Sequence, residues 1–166
     1  MKNTFLAIIS IFIIMSISSC NTGNEEKSAT AQQSDNSTYY FNTFLEGDYD
    51  TVIMKVTAAL KAEGFGVVST INMQEKIKDK LGKDIRKYVI LGACSPQHAY
   101  QALMAEDKIG TMLPCNVIIQ EVGENKYEVA AVNPIASMQA IKNPDLGIVA
   151  QEVTVSLKKV IESLND

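Results

Sequence analysis

The chain has 166 residues, with 15 lysines and arginines against 19 aspartates and glutamates, and its formal net charge at pH 7 is −4. This modestly acidic composition lacks the basic surface of a nucleic-acid-binding protein, so we expect no nucleic-acid partner. The length is sufficient for one domain with a single hydrophobic core.

The first predicted element is an export signal. Lys2 supplies a positive charge, and an apolar run from Phe5 to Ile17 follows it. Small residues and a cysteine then end the segment, and Ile17-Ser18-Ser19-Cys20 resembles the bacterial lipobox, in which the cysteine is lipidated and becomes the new N-terminus. The sequence therefore predicts a lipoprotein signal peptide over residues 1–19 and a lipidated Cys20.

Two alternatives for this segment stay open. An ordinary cleaved secretory signal would leave Cys20 incidental, and a membrane-spanning anchor would need about 20 apolar residues, more than the run contains. The lipoprotein interpretation predicts attachment to the membrane through the N-terminal lipid, with the domain facing the periplasm. Asn21 after the cysteine, where an aspartate is absent, favours the outer membrane.

A polar segment follows the predicted lipidation site. Residues 21–38 contain no aromatic residue and no Ile, Leu, Val or Met. A segment with so little apolar surface cannot offset the entropy lost on ordering, so residues 20–38 are predicted to be the lipidated cysteine and a disordered tether. Residues 39–166 remain for the folded domain.

The first half of the domain alternates strands and helices. We expect strands from Tyr39 to Phe44 and from Phe65 to Ile71. Between them, apolar residues at helical spacing predict a helix that begins at Asp48 or Asp50 and ends at Gly64; these residues are Val52, Ile53, Val56, Ala59 and Leu60. A short polar helix should begin at Asn72 and end at Gly82.

The second half of the domain contains the predicted hairpin and the longest helix. Tyr88 to Leu91 is an uninterrupted apolar run, which predicts a strand covered on both faces. Ser95-Pro96 indicates a helix start, with Ala99, Ala102 and Leu103 on its inner side. The remaining predicted elements are a hairpin of Asn116–Val122 with Tyr127–Val132 and a terminal amphipathic helix over 149–164. The fold class is α+β: a single domain with a mainly antiparallel sheet covered by helices and a long C-terminal helix.

Four segments of the domain together resemble a known family. They are Gly64-Phe65-Gly66-Val67, Leu81-Gly82, Ile90 to Leu103 and Gly110 to Val117. Their order and spacing resemble the domain-of-unknown-function family 302, a small prokaryotic α+β domain. The resemblance implies a compact domain, able to self-associate as a homodimer, whose biochemical activity is unsettled. The family usually has asparagine at the position of Ser95, where serine can serve equally as a helix cap.

Cys94 and Cys115 are the cysteines of the predicted domain, and they define the candidate site. An exported chain meets an oxidising compartment, so a disulfide between them is one hypothesis. It requires that the strands they flank run antiparallel, because a parallel crossover would separate the sulfurs by roughly 20 Å. Buried free thiols are the second hypothesis. A functional thiol is the third, because Cys94 precedes a helix N-terminus, which favours the thiolate.

The same region is the candidate binding site for a small ligand. Its candidate residues are Gly92, Cys94, Ser95, Pro96, Pro114, Cys115 and Asn116. Cys94, His98 and Cys115 could also bind a metal, with a carboxylate such as Asp107 as the fourth ligand. The simpler interpretation of His98 is a partly exposed helix histidine, and the family is variable at this position.

No catalytic motif of a known enzyme class is present in the sequence. A P-loop, a dinucleotide fingerprint, a Gly-x-Ser-x-Gly elbow and a Cys-x-x-Cys pair are all missing. We therefore expect an envelope lipoprotein whose domain binds a small ligand or another envelope protein without catalysis and without a cofactor. The alternative is a thiol-dependent redox or metal-handling protein that uses Cys94 and Cys115. An enzyme of unrecognised type is a third, weaker hypothesis.

Overall fold

The computed structural model describes residues 39–165 of the chain. The predicted signal peptide (1–19), the predicted lipidation site Cys20 and the predicted tether (20–38) lie outside the described residues. Within residues 39–165, no helix combines the length and the apolar composition that crossing a membrane requires.

The described residues alternate strands and helices in the order expected from the sequence, with two additions. A 3₁₀ turn precedes the fourth strand, and a one-turn helix follows the fifth. The elements are β1 (Tyr40–Glu46), α1 (Tyr49–Ala62), β2 (Gly66–Asn72), α2 (Met73–Leu81), β3 (Tyr88–Cys94), α3 (Pro96–Ala105), the 3₁₀ turn (Ile109–Met112), β4 (Cys115–Gly123), β5 (Lys126–Val132), α4 (Pro134–Ser137) and α5 (Pro144–Ser163).

The five strands form one sheet in the order β1-β5-β4-β3-β2. All four neighbouring pairs are antiparallel. β4 and β5 are the predicted hairpin, and Asn125 in its turn has a positive φ of 52°. The prediction of an α+β domain with a mainly antiparallel sheet and a long C-terminal helix is confirmed.

One face of the sheet carries the hydrophobic core. The apolar stripes of α1 and α5 pack against alternate residues of the strands, as expected for helices that bury a single face. Fully or nearly fully buried residues from these elements include Phe41, Val56, Leu60, Leu91, Val117, Ile119, Tyr127, Val129, Leu157 and Val160. Burying one such side chain contributes about 1.5–3 kcal/mol.

Local sequence signals position the helix ends. The Asp48 carboxylate accepts from the backbone N–H groups of Asp50 and Thr51 and so caps α1. The Asn72 side chain accepts from the N–H of Glu75 at the start of α2, and Gly82 ends that helix with a φ of +64°. These ends were predicted from the sequence because each depends on residues within one helical turn.

Two predictions about burial were wrong. β3 is covered on one face only: Val89 and Leu91 are buried, whereas Tyr88 and Ile90 are partly exposed. α1 and α5 pack on one side of the sheet, so the apolar residues on its other side line a surface. In α3, Ala102 is buried but Leu103 is 49% exposed, because α3 contacts α5 through its small residues. We call the face of the sheet opposite α1 and α5 the open face.

Candidate functional site

The antiparallel pairing of β3 with β4 brings the two predicted thiols to the same end of the sheet. β3 ends at Cys94 and β4 begins at Cys115, and Cys115 pairs directly with Ala93. A disulfide requires such antiparallel strands, and the parallel crossover that would separate the sulfurs is not present between β3 and β4. Both cysteines are nevertheless free thiols, Cys115 buried and Cys94 partly buried.

Burial makes the Cys115 thiol a poor nucleophile. Desolvation and, second, the neighbouring Cys94 raise the pKa of Cys115 from 9.0 to about 11. The reactive form of a cysteine is the thiolate, so at neutral pH Cys115 remains protonated. Its surroundings are those of a packing residue.

The cavity beside the two thiols is small. Cys94, Ser95, His98 and Cys115 line it together with apolar residues of α3, α4 and α5, and its volume is about 30 Å³. A single water needs roughly 10–15 Å³. This space is therefore far too small for an organic ligand.

Ser95 and His98 form a local contact that joins α3 to α5. Ser95 lies at the N-cap position of α3, but its side chain makes no cap hydrogen bond. Its Oγ lies 2.9 Å from His98 Nδ1 instead, and His98 Nε2 lies 3.7 Å from Glu152 Oε2. Sequence analysis placed Ser95 correctly at the helix start but assigned its side chain the wrong partner, because a histidine three residues later competes for the hydroxyl.

The predicted metal ligands do not form a site. Within residues 39–165, no three His, Cys, Asp or Glu side chains are grouped so that they could hold a metal ion. Asp107 forms an exposed ion pair with Lys108, and His98 pairs with Ser95 and Glu152. The set of Cys94, His98, Cys115 and Asp107 is therefore not brought together as ligands.

The remaining predicted site residues differ in how deeply they are buried. Gly92 is buried, and a Cβ atom there would contact Ser69 Oγ and lie 2.7 Å from Cγ of Pro114. Pro96 is exposed at the start of α3. Pro114, whose peptide bond to Leu113 is cis, lines a second cavity of about 250 Å³ with Cys115 and Asn116.

A larger groove lies on the open face and was missed by the sequence analysis. Its volume is about 350 Å³, and every lining residue belongs to a strand except Tyr39, which directly precedes β1. We call it the open-face groove; it is lined by Tyr39, Tyr40, Tyr88, Asn116, Ile118, Gln120, Glu128, Ala130, Ala131 and Val132. Asn116 and Val132 also line the second cavity, so the two spaces adjoin.

A hydrogen-bonded carboxylate lies in this groove. Asn42 Nδ2 donates to Glu128 Oε1 at 2.8 Å, and Gln120 Nε2 donates to Glu128 Oε2 at 2.7 Å. Gln120 and Glu128 are paired across β4 and β5, and Asn42 comes from β1 on the other side of β5. Three strands therefore fix the orientation of Glu128.

The tyrosines of the groove share one environment with Glu128. Burial raises the pKa of Tyr88 above 10.0, and the charges of Glu128 and then Tyr39 raise it further, whereas Arg86 lowers it. The rings of Tyr39 and Tyr40 meet edge to face with centroids 4.8 Å apart. Among the groove-lining residues, Glu128 is the one with a carboxylate side chain.

The sequence does contain a signal for this groove, which is the alternation within β4 and β5. Asn116, Ile118 and Gln120 alternate with Cys115, Val117 and Ile119, and the second set is buried. The pattern marks one face of each strand as outward, but it gives no indication of which strands are neighbours. The grouping of Glu128 with Asn42 depends on a β1–β5 pairing between residues 86 positions apart.

Comparisons with known proteins identify the domain but no activity. A family model described as "Domain of unknown function DUF302" matches residues 41–164. The crystal structure of an uncharacterized conserved DUF302 protein from Bacillus stearothermophilus is similar, with a TM-score of 0.69 and 24% sequence identity, covering 75% of this chain and 96% of that one. No curated protein matches the chain.

Proposed function

Since the chain belongs to the DUF302 family, we propose that it is an envelope lipoprotein whose domain binds a small ligand in the open-face groove without catalysis. One observation carries the binding part of the proposal. The groove, with a volume of about 350 Å³, combines aromatic and aliphatic walls with a few fixed polar groups. Sites for small molecules are typically concave spaces of about 300–1,000 Å³ with this composition.

The residues of the groove support binding rather than catalysis. General acid–base catalysis most often uses a histidine, and nucleophilic catalysis needs a nucleophile beside a suitable base. The lining side chains that can form hydrogen bonds are tyrosines, two amides and Glu128, and no serine, threonine, cysteine, lysine or histidine lines the groove. His98, Cys94 and Cys115 do not line this groove.

The thiol-based alternative has less support. Cys115 is buried with a raised pKa, and the cavity it shares with Cys94 has a volume of about 30 Å³. If the thiols are packing residues, iodoacetamide at pH 7.5 should modify Cys115 only after denaturation, as read by peptide mass mapping. Rapid modification of either domain cysteine in the native protein would favour the thiol-based function instead.

The lipoprotein part of the proposal rests on residues 1–38. The positive Lys2, the apolar run and the Ile17 to Cys20 motif support lipidation at Cys20, with the domain held on the periplasmic side of the outer membrane. A single lipid chain binds membranes only weakly, whereas the two or more chains of a bacterial lipoprotein anchor it stably.

The anchor can be tested with a matched cysteine variant. In detergent phase separation of cell extracts, the unchanged protein and Cys94→Ala should enter the detergent phase, because both keep Cys20. Cys20→Ala should appear in the aqueous phase or remain unprocessed. Unchanged partitioning of Cys20→Ala would contradict the lipoprotein proposal.

Binding in the groove can be tested with three aromatic probes that differ in charge: phenethylammonium, 2-phenylethanol and 3-phenylpropionate. At least one should saturably shift the backbone amide signals of Ile118 and Ala130 in ¹⁵N spectra of the full chain in maltoside micelles. Ala130→Leu places a larger side chain in the groove and should abolish the shifts. Val122→Leu, on β4 but outside the groove, should preserve them. If no probe shifts these signals, the binding proposal is wrong.

A further inference from the structure

The chemistry of the open-face groove restricts what it can bind. Its lining residues carry one full charge, the carboxylate of Glu128. This carboxylate is held in place by Asn42 and Gln120, at 2.8 and 2.7 Å. Both partners are neutral amides, so their hydrogen bonds orient the negative charge without cancelling it.

The aromatic walls complement a positive charge in the same place. The face of a tyrosine ring is electron-rich, and a cation within about 6 Å of its centre is attracted to it. Tyr39, Tyr40 and Tyr88 all line the groove. Tyr88 is paired with Gln120, whose side chain donates to Glu128, so the ring and the carboxylate are close on the same face of the sheet.

The nearby basic residues lie at the margins of the groove. Lys126 is opposite Glu46 at the far end of the β1–β5 pair, and its Nζ lies 5.7 Å from the centre of the Phe44 ring. Arg86 precedes β3 and lowers the pKa of Tyr88. Neither Lys126 nor Arg86 lines the groove, so the Glu128 carboxylate is the one charged group among its lining residues.

We propose that the open-face groove binds a small organic cation, with an ammonium group against Glu128 and an apolar portion against Ile118 and the tyrosine rings. This inference rests on the proposed function, because it assigns a ligand class to the same groove. The ammonium N–H groups donate to the carboxylate and to the carbonyl oxygen of Gln120, which also lines the groove. The Gln120 amide uses one N–H on Glu128, and its carbonyl oxygen is an acceptor that a ligand can use.

The same charge argues against a second copy of the chain as the occupant. In a two-fold dimer, the same surface of each copy faces the other. A dimer centred on the groove would therefore place two Glu128 carboxylates against each other, and like charges brought together out of water are unfavourable. A cation is instead attracted to the carboxylate and to the tyrosine faces, and this attraction is stronger where water is excluded.

The three probes distinguish the ligand class from the existence of the site. Phenethylammonium should bind at least about tenfold more tightly than 2-phenylethanol, since a hydrogen bond to a charged group exceeds a neutral one by that amount. Phenethylammonium should also bind more tightly than 3-phenylpropionate by at least about tenfold. Equal or tighter binding of the alcohol or the carboxylate would overturn the cation proposal while leaving the groove as a binding site. No binding of any probe would refute both proposals.

Variants at the carboxylate provide a second, independent test. Glu128→Gln keeps the size of the side chain but removes the charge, so it should erase the preference for phenethylammonium over the alcohol while alcohol binding persists. Glu124→Gln, in the exposed β4–β5 turn, is the matched control and should leave the preference unchanged. A preference that survives Glu128→Gln would overturn the assignment.

Measuring self-association tests whether a second copy of the chain occupies the groove instead. In sedimentation of the full chain in maltoside micelles, Ile118→Arg should have no effect on self-association, because a small ligand and not a second copy occupies the groove. A concentration-dependent dimer that is lost in Ile118→Arg and does not form in the presence of phenethylammonium would show that a second copy occupies the groove, and would overturn the proposal.

Discussion

Gly92 and Pro114 are in direct contact at the junction of β3 and β4, and there is no space for a side chain between them. A Cβ atom on Gly92 would lie 2.7 Å from Cγ of the proline ring and would also overlap Ser69 Oγ. Ser69 could rotate away, but the proline ring is rigid and part of the backbone. Position 92 therefore requires glycine, because the Pro114 ring lies too close to it on the open face.

This contact predicts the effect of the smallest substitution. Gly92→Ala should lower the free energy of unfolding by about 1–3 kcal/mol, the usual cost of forcing an extra group into a packed region. Urea unfolding followed by circular dichroism measures it. Gly110→Ala is the control, because nothing lies within 4 Å of a Cβ atom there. A Gly92→Ala protein as stable as the Gly110→Ala protein would contradict the packing argument.

The buried thiol of Cys115 predicts a pH dependence of stability. Its pKa is about 11 in the folded protein and 9.0 when unperturbed. Between these values the unfolded chain releases a proton that the folded chain retains, so stability is fully present below pH 9 and falls as the pH rises to 11. The loss from this group is on the order of 2 kcal/mol.

A pair of cysteine variants isolates this contribution. Cys115→Ala should be less stable than the parent at pH 7 by about 1–2 kcal/mol, because a buried side chain is shortened. The difference between the two proteins should shrink between pH 9 and 11. Cys94→Ala keeps the Cys115 thiol, so it should retain the alkaline loss. Parallel pH profiles for the parent and Cys115→Ala would show that Cys115 does not titrate in this range.

Asn143 links the end of α3 to the start of α5. Its Oδ1 accepts from the N–H of Asp145, which caps α5, and its Nδ2 donates to the carbonyl oxygen of Ala105 at 2.7 Å. Asn143→Ala removes both bonds and should cost about 1–2 kcal/mol in urea unfolding. Asn143→Ser can restore the cap but cannot reach Ala105, so it should recover part of that loss. Equal stability of the alanine variant and the parent would refute this role.

Most interactions between residues close in the sequence were predicted correctly, whereas those that depend on more distant residues were not. The cap at Asn72 and the left-handed glycine at 82 were predicted, and Asp48 was one of two predicted caps for α1, because their partners lie within a few residues. The start of α5 was missed, since its capping residue Asn143 precedes the apolar stripe that predicted the helix. Helix periodicity shows where a buried face exists, but not where the helix begins.

The candidate site was predicted less completely than the fold. The sequence correctly placed Cys94 and Cys115 at the ends of two strands, and antiparallel pairing made them neighbours. Whether a ligand-sized space lies beside them depends on how closely the helices pack, which no local pattern encodes. The groove around Glu128 required the strand order, because its walls come from β1, β3, β4 and β5.

The N-terminal boundary of the domain predicts the behaviour of truncated chains. The N–H of Asn133 donates to the carbonyl oxygen of Tyr39 at 2.8 Å, and Tyr40 begins the β1–β5 ladder opposite Val132. A chain beginning at Thr38 keeps these bonds and should unfold cooperatively, with a free energy of unfolding within about 0.5 kcal/mol of the full chain.

A chain beginning at Phe44 loses buried Phe41 and half of β1, so it should be destabilised by about 3 kcal/mol or more. Thermal and urea melts in one buffer, with one tag on all three proteins, measure both effects. Loss of cooperative unfolding in the chain beginning at Thr38 would show that residues 1–37 contribute to the folded domain.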